Sequence, residues 1–458
     1  MNKPIAPGDR LFNRNFVLLW QGQLVSNFGS QGFLVAAMVF LEETAGSAAV
    51  MGALMAVSLI AQGLAAPIGG AVADRVRRRT VLVASDVVSG VSVCVLALWM
   101  IAWPQSGAIP WIMGLVFAVG GLSTAFFSPA SRAILPAIVP ESALPAANAL
   151  TEGTMHGATL SGQAVAGTLL RVLGAPVLFL IDGVSYFLSA FSEVFIRDPA
   201  PGAAVSDSTG ASRSGHDGAA IDESAQPQDR SWRMSPCIIL RDVREGVALV
   251  SGNLGVRNLL VVSVLISLFA MPFVILLPFF VSHQLGARPD WFGFLLAGLG
   301  GGALAGYALA SPVTWRGKRI PWILLGSLAV LSASLVVLGT VHRPTHALAV
   351  LVVAGMGQGV FQVGATTVLQ AAVPDRHRAR VFGLLQAAVS LLGPVSLVVT
   401  GAVVDAMGGD AARMFVVCGV LMVAVTGWAV WNRPLREFLA GAGAGNSTAR
   451  ARAPERST

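Results

Sequence analysis

One long run of mostly apolar residues ends in the sequence Gly69-Gly70-Ala71-Val72-Ala73-Asp74-Arg75-Val76-Arg77-Arg78-Arg79. The small residues up to Ala73 allow the backbone of another helix to approach closely. Asp74 follows where the apolar residues stop. Arginines beside the end of an apolar helix mark the side of a membrane on which positive charge is retained. The stretch therefore predicts a membrane helix that ends at a cytoplasmic surface.

The composition of the whole chain agrees with a membrane protein. Of its 458 residues 55% are hydrophobic and only 12% are charged, and the mean hydropathy is +0.72. This excludes an ordinary soluble domain. The net charge of +7 comes from residues in short loops between apolar segments, so nucleic acid is not an expected partner. Cys94, Cys237 and Cys418 lie far apart without a ligand spacing, which predicts neither disulfides nor a metal site.

Apolar segments of about 20 residues are long enough to cross a bilayer as helices. The sequence contains twelve such segments, which predicts an all-α membrane protein. Their expected bounds are 16–40, 48–73, 80–103, 111–130, 146–170, 174–196, 256–282, 290–312, 321–341, 347–372, 381–406 and 411–432. We number them as spans one to twelve.

The basic residues are distributed unequally between the two sides of the predicted bundle. If the N-terminus is cytoplasmic, nearly all Lys and Arg residues fall on the cytoplasmic side. The other side holds only Arg171, Arg288, Arg343 and Arg413. The positive-inside rule therefore places both termini in the cytoplasm.

The chain divides into two related halves. Residues 197–250 are rich in Ala, Gly, Ser and Asp, as expected of a flexible cytoplasmic loop. They separate a bundle at 1–196 from a bundle at 251–432, and a cytoplasmic tail follows at 433–458. An offset of 234 residues relates the halves without a gap, since it pairs Gly121 with Gly355, Gly167 with Gly401 and Gly174 with Gly408. The repeat predicts two six-helix pseudo-repeats.

The stretch at the end of span two resembles the signature of the major facilitator superfamily, G-x-x-x-D-R/K-x-G-R-R/K. The matching residues are Gly70, Asp74, Arg75, Arg78 and Arg79, and Arg77 replaces the inner glycine. An ordinary positive-inside loop would explain the arginines but neither the carboxylate nor the spacing from Gly70. The resemblance implies a substrate path between the two halves and alternating access by rocking.

Further motifs resemble the branch that contains exporters of enterobactin-type siderophores and macrolide efflux proteins. These motifs are Phe127-Ser128-Pro129-Ala130, Ile134-Leu135-Pro136, Val139-Pro140-Glu141, Ala147-Asn148-Ala149-Leu150 and Ile181-Asp182-Gly183-Val184-Ser185-Tyr186-Phe187. Because a fold hosts many functions, this assignment rests on family analogy.

Polar residues recur on one helical face at four-residue spacing in two spans. They are Gln23, Asn27 and Gln31 in span one, and Gln358, Gln362 and Thr366 in span ten. The repeat offset adds Thr124 and Ser128 in span four. Members of the superfamily line their path with spans one, four, seven and ten, so these residues are candidates for the substrate path. In the alternative interpretation the amides only bond neighbouring helices.

Ionisable residues within spans are functional candidates. Glu152 and His156 lie four residues apart in span five, where a carboxylate and an imidazole in contact could exchange protons. A structural pair that fixes helix packing is the alternative. Asp182 in span six is a third proton-coupling candidate, although a structural hydrogen-bonding role is favoured there. Asp86 is expected to pair with the arginine segment, and Glu42 is expected to be solvated at the outer end of span one.

The resemblance also implies a conformational latch built from the signature. When the cytoplasmic side is closed, Asp74 is expected to face the N-terminus of span eleven near Arg380. Arg75 or Arg78 would hold the carboxylate, and Gly70 would allow the close approach. A carboxylate is stabilised at a helix N-terminus by the helix dipole and the free amides.

The sequence therefore predicts a secondary transporter of the inner (plasma) membrane that exports lipophilic drugs or siderophores by proton antiport. A transporter of a small polar metabolite and a non-transporting scaffold or sensor are the alternatives. Nucleotide-binding and hydrolase motifs are absent from the sequence, which argues against an ATP-driven pump or an enzyme. We expect a monomer in the bilayer that uses a small-molecule substrate and protons and needs no cofactor.

Overall fold

A computed structural model describes residues 12–197, 250–311, 313, 317, 319–373 and 375–441. Within these ranges the side chains of Asp74, Glu141 and residues 375–380 are not described. The predicted central loop lies outside the described residues apart from its two end residues, and so do residues 442–458 of the predicted tail.

The described residues form twelve long helical elements, one short α-helix and one 3-10 turn at Glu141–Ala143. The first six are α1 (Arg14–Ala45), α2 (Ala48–Arg75), α3 (Arg78–Ala102), α4 (Ile109–Ile138), α5 (Leu144–Leu173) and α6 (Ala175–Val194). The second six are α7 (Leu254–Gln284), α8 (Asp290–Ala310), α9 (Ile320–Leu338), α10 (Pro344–Ala372), α11 (Asp375–Ala406) and α12 (Ala411–Trp431). α7 is interrupted after Ala270 and ends in a π-helical turn. The predicted twelve-helix membrane fold is confirmed.

Eleven of these helices are long and apolar enough to cross a membrane by composition alone, and α5 is not one of them. At about 1.5 Å per residue its 30 residues still reach across a bilayer. Polar side chains start several helices by accepting a hydrogen bond from a backbone N–H group of the first turn. These N-cap residues are Asn13, Ser47, Asn253 and Asp410.

The two halves repeat the same close contacts. In the first half Gly121 of α4 lies against the backbone of Ser58 in α2, and in the second half Gly355 of α10 lies against the backbone of Leu299 in α8. A side chain at either glycine would collide with the neighbouring helix. The turns after α5 and α11 also match, because Gly174 and Gly408 have φ of 77° and 74°. The predicted structural repeat is confirmed.

The halves join each other through α2 with α11 and α5 with α8. Gly401 lies against the backbone of Ala48, and Gly167 lies against the backbone of Asp290. These contacts lie at the ends of the helices opposite Arg75–Arg79. We call this side the far face and the side with Arg75–Arg79 the arginine face.

Carboxylates strengthen the junction at the far face. The Asp405 Oδ1 atom accepts a hydrogen bond from the Ala48 amide at 2.8 Å, and its Oδ2 atom accepts from the Ser47 hydroxyl at 2.6 Å and the Ala49 amide at 3.2 Å. Asp405 of the second half therefore caps the N-terminus of α2 in the first half, where the helix dipole favours a negative charge. Glu42 accepts a hydrogen bond from the Ser282 hydroxyl at 2.7 Å, so the expectation that Glu42 is only solvated is wrong.

Residues 433–441 form a helix instead of the start of a tail. This helix, α13 (Arg433–Gly441), packs against α7, where Phe438 lies over Gly255. Leu435 and Leu439 are both buried, and they lie four residues apart on one face of the helix. The helix therefore belongs to the second bundle.

We expect Asp405→Ala to weaken closure of the far face. Loss of a helix cap costs about 1–2 kcal/mol, which corresponds to a roughly five- to thirty-fold shift in the population of the closed state. The measurement is the distance distribution between spin labels at Val50 and Val403, which are partly exposed beside this junction. The control is Asp410→Ala, because Asp410 caps α12 within one half. Equal distributions in the two variants would contradict the prediction.

Candidate functional site

A polar cavity of about 340 Å³ lies inside the first half, between α1, α3, α4, α5 and α6. We call it the N cavity. Its polar lining consists of hydroxyls, amides, two carboxylates and one imidazole. The side chains are Gln23, Ser26, Asn27, Ser30, Ser85, Asp86, Ser89, Ser123, Thr124, Glu152, His156, Thr159 and Tyr186.

A second cavity of about 220 Å³ lies inside the other half, between α7, α9, α10 and α11. We call it the C cavity. Its polar side chains are neutral, and they are Ser263, Ser267, Gln358, Gln362, Thr366 and Gln386. Leucine, isoleucine, valine, phenylalanine and alanine form the rest of the wall. The predicted path residues of span ten therefore lie together on one cavity wall.

The amides of α1 tie this helix to its neighbours. Gln23 donates to the Ser131 hydroxyl of α4 at 2.7 Å. Asn27 donates to the backbone carbonyl of Met155 at 3.0 Å and to the Thr159 hydroxyl of α5 at 3.1 Å. Both amides also line the N cavity, and their part in a substrate path stays a prediction.

Two predicted path residues line neither cavity. Gln31 accepts a hydrogen bond from Gln163 of α5 at 2.9 Å, which gives it the structural role of the alternative interpretation. Ser128 is half-buried on α4, and Phe127 takes the place next to it in the N cavity. Thr124 does line the cavity, with its hydroxyl bonded to the Gly120 carbonyl of its own helix at 2.8 Å.

The amides of α10 differ from those of α1 because they are unengaged. Gln358 and Gln362 are exposed in the C cavity, and their side chains make no hydrogen bond within the described residues. An exposed amide that no neighbouring helix uses remains available to a ligand, to which it offers two donors and one acceptor.

The Glu152 and His156 side chains both reach the N cavity and are exposed. Within the described residues neither side chain makes a hydrogen bond or an ion pair, so the predicted carboxylate–imidazole contact is not formed in this conformation. The ring of His156 lies 6.4 Å from the ring of Tyr307 in α8, measured between centroids. His156 therefore lies next to a side chain of the second half, while Glu152 lines the N cavity one helical turn away.

Asp182 is buried between α1 and α6. Its Oδ1 atom accepts hydrogen bonds from the Ser30 hydroxyl at 3.3 Å and the Ser185 hydroxyl at 3.5 Å. Ser30 also pairs with the Tyr186 hydroxyl at 2.9 Å, and Gly29 leaves room for the cluster beside α1. These contacts match the structural hydrogen-bonding role that the sequence favours for Asp182.

Two further buried carboxylates are not among the site residues that the sequence predicts. Asp86 lines the N cavity with only 4% of its surface exposed, and its Oδ2 atom has no hydrogen-bond partner among the described residues. Its expected pairing with the arginine segment is not among the described contacts. Glu193 is fully buried near the end of α6, and neither of its carboxylate oxygens has a hydrogen-bond partner in the described part of the chain. The signal that could have found them is an acidic residue within a membrane span.

Comparison with known proteins identifies the fold and the family. The family model of the Major Facilitator Superfamily matches residues 19–397 and 259–448. The chain belongs to the Major Facilitator Superfamily. Among solved structures, the nucleoside transporter NupG has a TM-score of 0.64 with 12% identity and covers 91% of this chain and 98% of its own. A D-xylose-proton symporter has a TM-score of 0.60 with 15% identity. The match covers 89% of this chain and 96% of the symporter chain.

Curated relatives in the superfamily include efflux proteins. Macrolide efflux protein A of Streptococcus pyogenes is 24% identical over 412 residues, which cover 90% of this chain and 94% of that protein. Multidrug efflux pump Tap of Mycobacterium tuberculosis is 24% identical over 377 residues, which cover 80% of this chain and 81% of that protein. The chain is therefore a multi-pass membrane transporter of this superfamily with relatives named as efflux pumps.

The superfamily signature occupies the turn between α2 and α3. Gly69 lies against the backbone of Ala125 in α4, which confirms the close helix approach expected there. Arg79 donates to the carbonyls of Val194 at 3.1 Å and Ile196 at 3.3 Å, so it fixes the turn to the end of α6.

The predicted latch itself stays a prediction. Arg75 is exposed and Arg78 begins α3, while Gly70 has open space beside it. The side chains of Asp74 and Arg380 lie outside the described residues.

We expect Asn27→Leu to lower the melting temperature of the purified transporter, because it removes two hydrogen bonds between α1 and α5. Interhelical hydrogen bonds in membranes contribute roughly 0.6 kcal/mol each, so the loss should be about 1 kcal/mol. The matched variant is Gln362→Leu, whose amide has no partner among the described residues, and its melting temperature should stay unchanged. Thermal unfolding in detergent measures both. Equal melting temperatures for the two variants would show that the contacts of Asn27 do not hold the helices together.

Proposed function

We propose that this transporter exports lipophilic, macrolide-like drugs or siderophores by proton antiport with alternating access. The observation that carries the proposal is the C cavity, where the unengaged amides of Gln358 and Gln362 stand among apolar side chains. Such a wall suits amphipathic molecules with neutral hydrogen-bonding groups. The names of the efflux relatives support the same substrate class.

Two other functions fit these observations less well. A carrier of small polar metabolites would be expected to place charged or densely polar groups around its substrate, whereas the polar side chains of the C cavity are neutral and few. A non-transporting scaffold or sensor would have no reason to leave amides unengaged inside the bundle, where polar groups are costly.

Glu152 and His156 are our first candidates for the proton-coupling site. Both line the N cavity, and His156 lies beside Tyr307 of the other half. A change in the packing of the halves would therefore change the surroundings of both side chains. An imidazole exchanges protons near neutral pH, as coupling requires. Asp182 remains a weaker candidate because hydrogen bonds already occupy it.

Inverted membrane vesicles with an imposed pH gradient test the proposal. Wild-type protein should accumulate a macrolide, a dye or a siderophore in the vesicles, and collapse of the gradient should abolish accumulation. Glu152→Gln should lose most gradient-driven accumulation because it removes the proton-binding carboxylate. Glu437→Gln on the short C-terminal helix α13 is the control. Full accumulation by Glu152→Gln would exclude Glu152 as the coupling group, and failure of the wild type with every compound would overturn the export proposal.

The same proposal gives the orientation of the transporter in the membrane. The arginine face would be cytoplasmic, with both termini on that side, in the inner (plasma) membrane. The transporter would act as a monomer, because each chain holds both halves of the path. The described conformation, closed at the far face, would then be the one that accepts substrate from the cytoplasm.

In the opposite conformation the signature is proposed to act as a latch. Rocking would bring the arginine-face ends of α2 and α11 together, so that Asp74 meets the N-terminus of α11 near Arg380. Asp405 makes the equivalent contact at the far face, where it caps α2. The two carboxylates would stabilise opposite states of the same helix pair.

Asp74→Asn should therefore leave insertion intact and raise the population of the state that is open at the arginine face. A surface carboxylate at a helix N-terminus contributes on the order of 0.3–1 kcal/mol, so turnover should slow by a few-fold. Spin labels at the arginine-face ends of α2 and α11 measure the distance. An acid placed at Ala310, which follows Gly306 by four residues as Asp74 follows Gly70, should not restore the wild-type distribution. An unchanged distance in Asp74→Asn would refute the latch.

A further inference from the structure

The short helix α13 lies at the arginine face, at the level of the membrane interface. Consecutive spans alternate in direction, so α12, like α2, ends at this face, and α13 follows it after Asn432. The Asn432 Oδ1 atom accepts hydrogen bonds from the Leu435 amide at 3.0 Å and from the Asn258 amide group of α7 at 3.0 Å, which fixes the turn. Trp431 beside the turn is 85% exposed. Exposed tryptophan on a membrane protein is typical of the headgroup region, so α13 lies beside the lipid headgroups.

A pocket of about 410 Å³ lies between α13 and the first turn of α9. We call it the α9–α13 pocket. Its wall contains two arginines, one carboxylate and one tryptophan, and the residues are Pro321, Trp322, Arg433, Arg436, Glu437 and Ala440. Because Leu435 and Leu439 are buried in the bundle, α13 borders the pocket with its polar face.

The α9–α13 pocket is positively charged. Its wall carries the two guanidinium groups of Arg433 and Arg436 and the single carboxylate of Glu437, and Arg319 precedes the wall residue Pro321 by two positions. The N-terminus of α9 has no side-chain cap, so the helix dipole adds partial positive charge there. Glu437 is exposed, so water and salt screen its repulsion of an anion. The pocket therefore favours a negatively charged ligand.

The guanidinium group of Arg436 lacks an acceptor. Its Nε atom is shielded from solvent and has no hydrogen-bond partner among the described residues. Within the same part of the chain no ion pair joins Arg433 or Arg436 to Glu437, although all three line one space. An unpaired buried donor is costly, and more so on a charged group. Phosphate oxygens match this need, because a guanidinium group can donate two parallel hydrogen bonds to them.

An exposed stripe on α9 leads from the pocket along the helix. It consists of Trp322, Gly326, Val330, Ala333 and Val337, which lie three or four residues apart and share one helical face. Val330 and Val337 are 41% and 47% exposed, and the space beside Gly326 is open. Apart from the indole N–H group the stripe is apolar, as expected of a surface in contact with acyl chains. An apolar stripe that begins at a cationic pocket matches an amphipathic anion better than free phosphate.

We propose that the α9–α13 pocket binds the phosphodiester headgroup of an anionic phospholipid from the leaflet at the arginine face. Arg433 and Arg436 donate to the phosphate oxygens, and one acyl chain lies along the stripe of α9. Basic pockets between membrane helices bind anionic headgroups in other membrane proteins. The bound lipid links α13 to α9 and so secures the second bundle, in which α13 already packs against α7. The site does not depend on whether the protein exports a drug.

Fluorescence quenching by brominated lipids measures which lipid occupies the stripe. The full-length transporter carries Val330→Cys labelled with bimane, and its three native cysteines are replaced by alanine. It is reconstituted in phosphatidylcholine bilayers. Phosphatidylglycerol with brominated acyl chains is compared with phosphatidylcholine that carries the same chains. We expect phosphatidylglycerol to be enriched about tenfold at the label, which is the preference that one charge-assisted hydrogen bond supports.

Removal of both guanidinium groups tests the headgroup site. The double variant Arg433→Gln/Arg436→Gln should reduce the enrichment to less than twofold. The matched control is Arg171→Gln/Arg343→Gln, which removes two exposed arginines at the far face and should keep the wild-type enrichment. Ala440→Leu leaves every charge in place but fills the pocket, so it should also reduce the enrichment.

Four results would overturn the lipid site. They are equal quenching by the two lipids in the wild type, wild-type enrichment in the variant without Arg433 and Arg436, an equal loss in the control pair, and loss of enrichment on addition of millimolar inorganic phosphate. The last result would assign the pocket to a soluble anion. If the double variant does not fold, wild-type enrichment in Ala440→Leu overturns the site. Enrichment that persists in phosphate and requires both arginines supports it.

Discussion

Close packing of helix backbones at glycine is the interaction on which this structure depends. In lipid, apolar side chains gain little by contacting protein instead of acyl chains, so association depends on tight packing and on interhelical hydrogen bonds. Gly121 and Gly355 provide that packing within the halves, and Gly167 and Gly401 provide it between them. The same device therefore builds each bundle and joins the two bundles at the far face.

The cost of polar groups in a bilayer separates structural side chains from functional ones. The side chains of Asn27 and Asp182 each form hydrogen bonds with a neighbouring helix. Within the part of the chain that the structure describes, Gln358 and Gln362 form no side-chain hydrogen bond in the C cavity, and one carboxylate oxygen of Asp86 is unpaired in the N cavity. A polar group that packing does not satisfy inside a membrane bundle is the stronger candidate for contact with a ligand.

Local patterns predicted most of the fold. Each apolar segment became a helix near its expected bounds, and the repeat that pairs Gly121 with Gly355 became a repeated helix contact. The misassignments were at residues whose partners are distant in sequence. Glu42 looked solvated but bonds Ser282, which lies 240 residues away. Asp86 looked like a partner of the nearby arginines but lines a cavity among residues of four other helices.

The sequence by itself determined the helices, the two halves and the family, because hydropathy, repeat spacing and the Asp74 signature are properties of contiguous residues. Only the tertiary structure decided which amides are engaged, since Gln31 and Gln362 sit in similar helical stripes and differ only in whether a neighbouring helix offers a partner. It also decided which face is closed, because Asp405 caps α2 only when the two halves meet at that end. Helical periodicity fixes which residues share a face, whereas the opposing helix fixes what that face contacts.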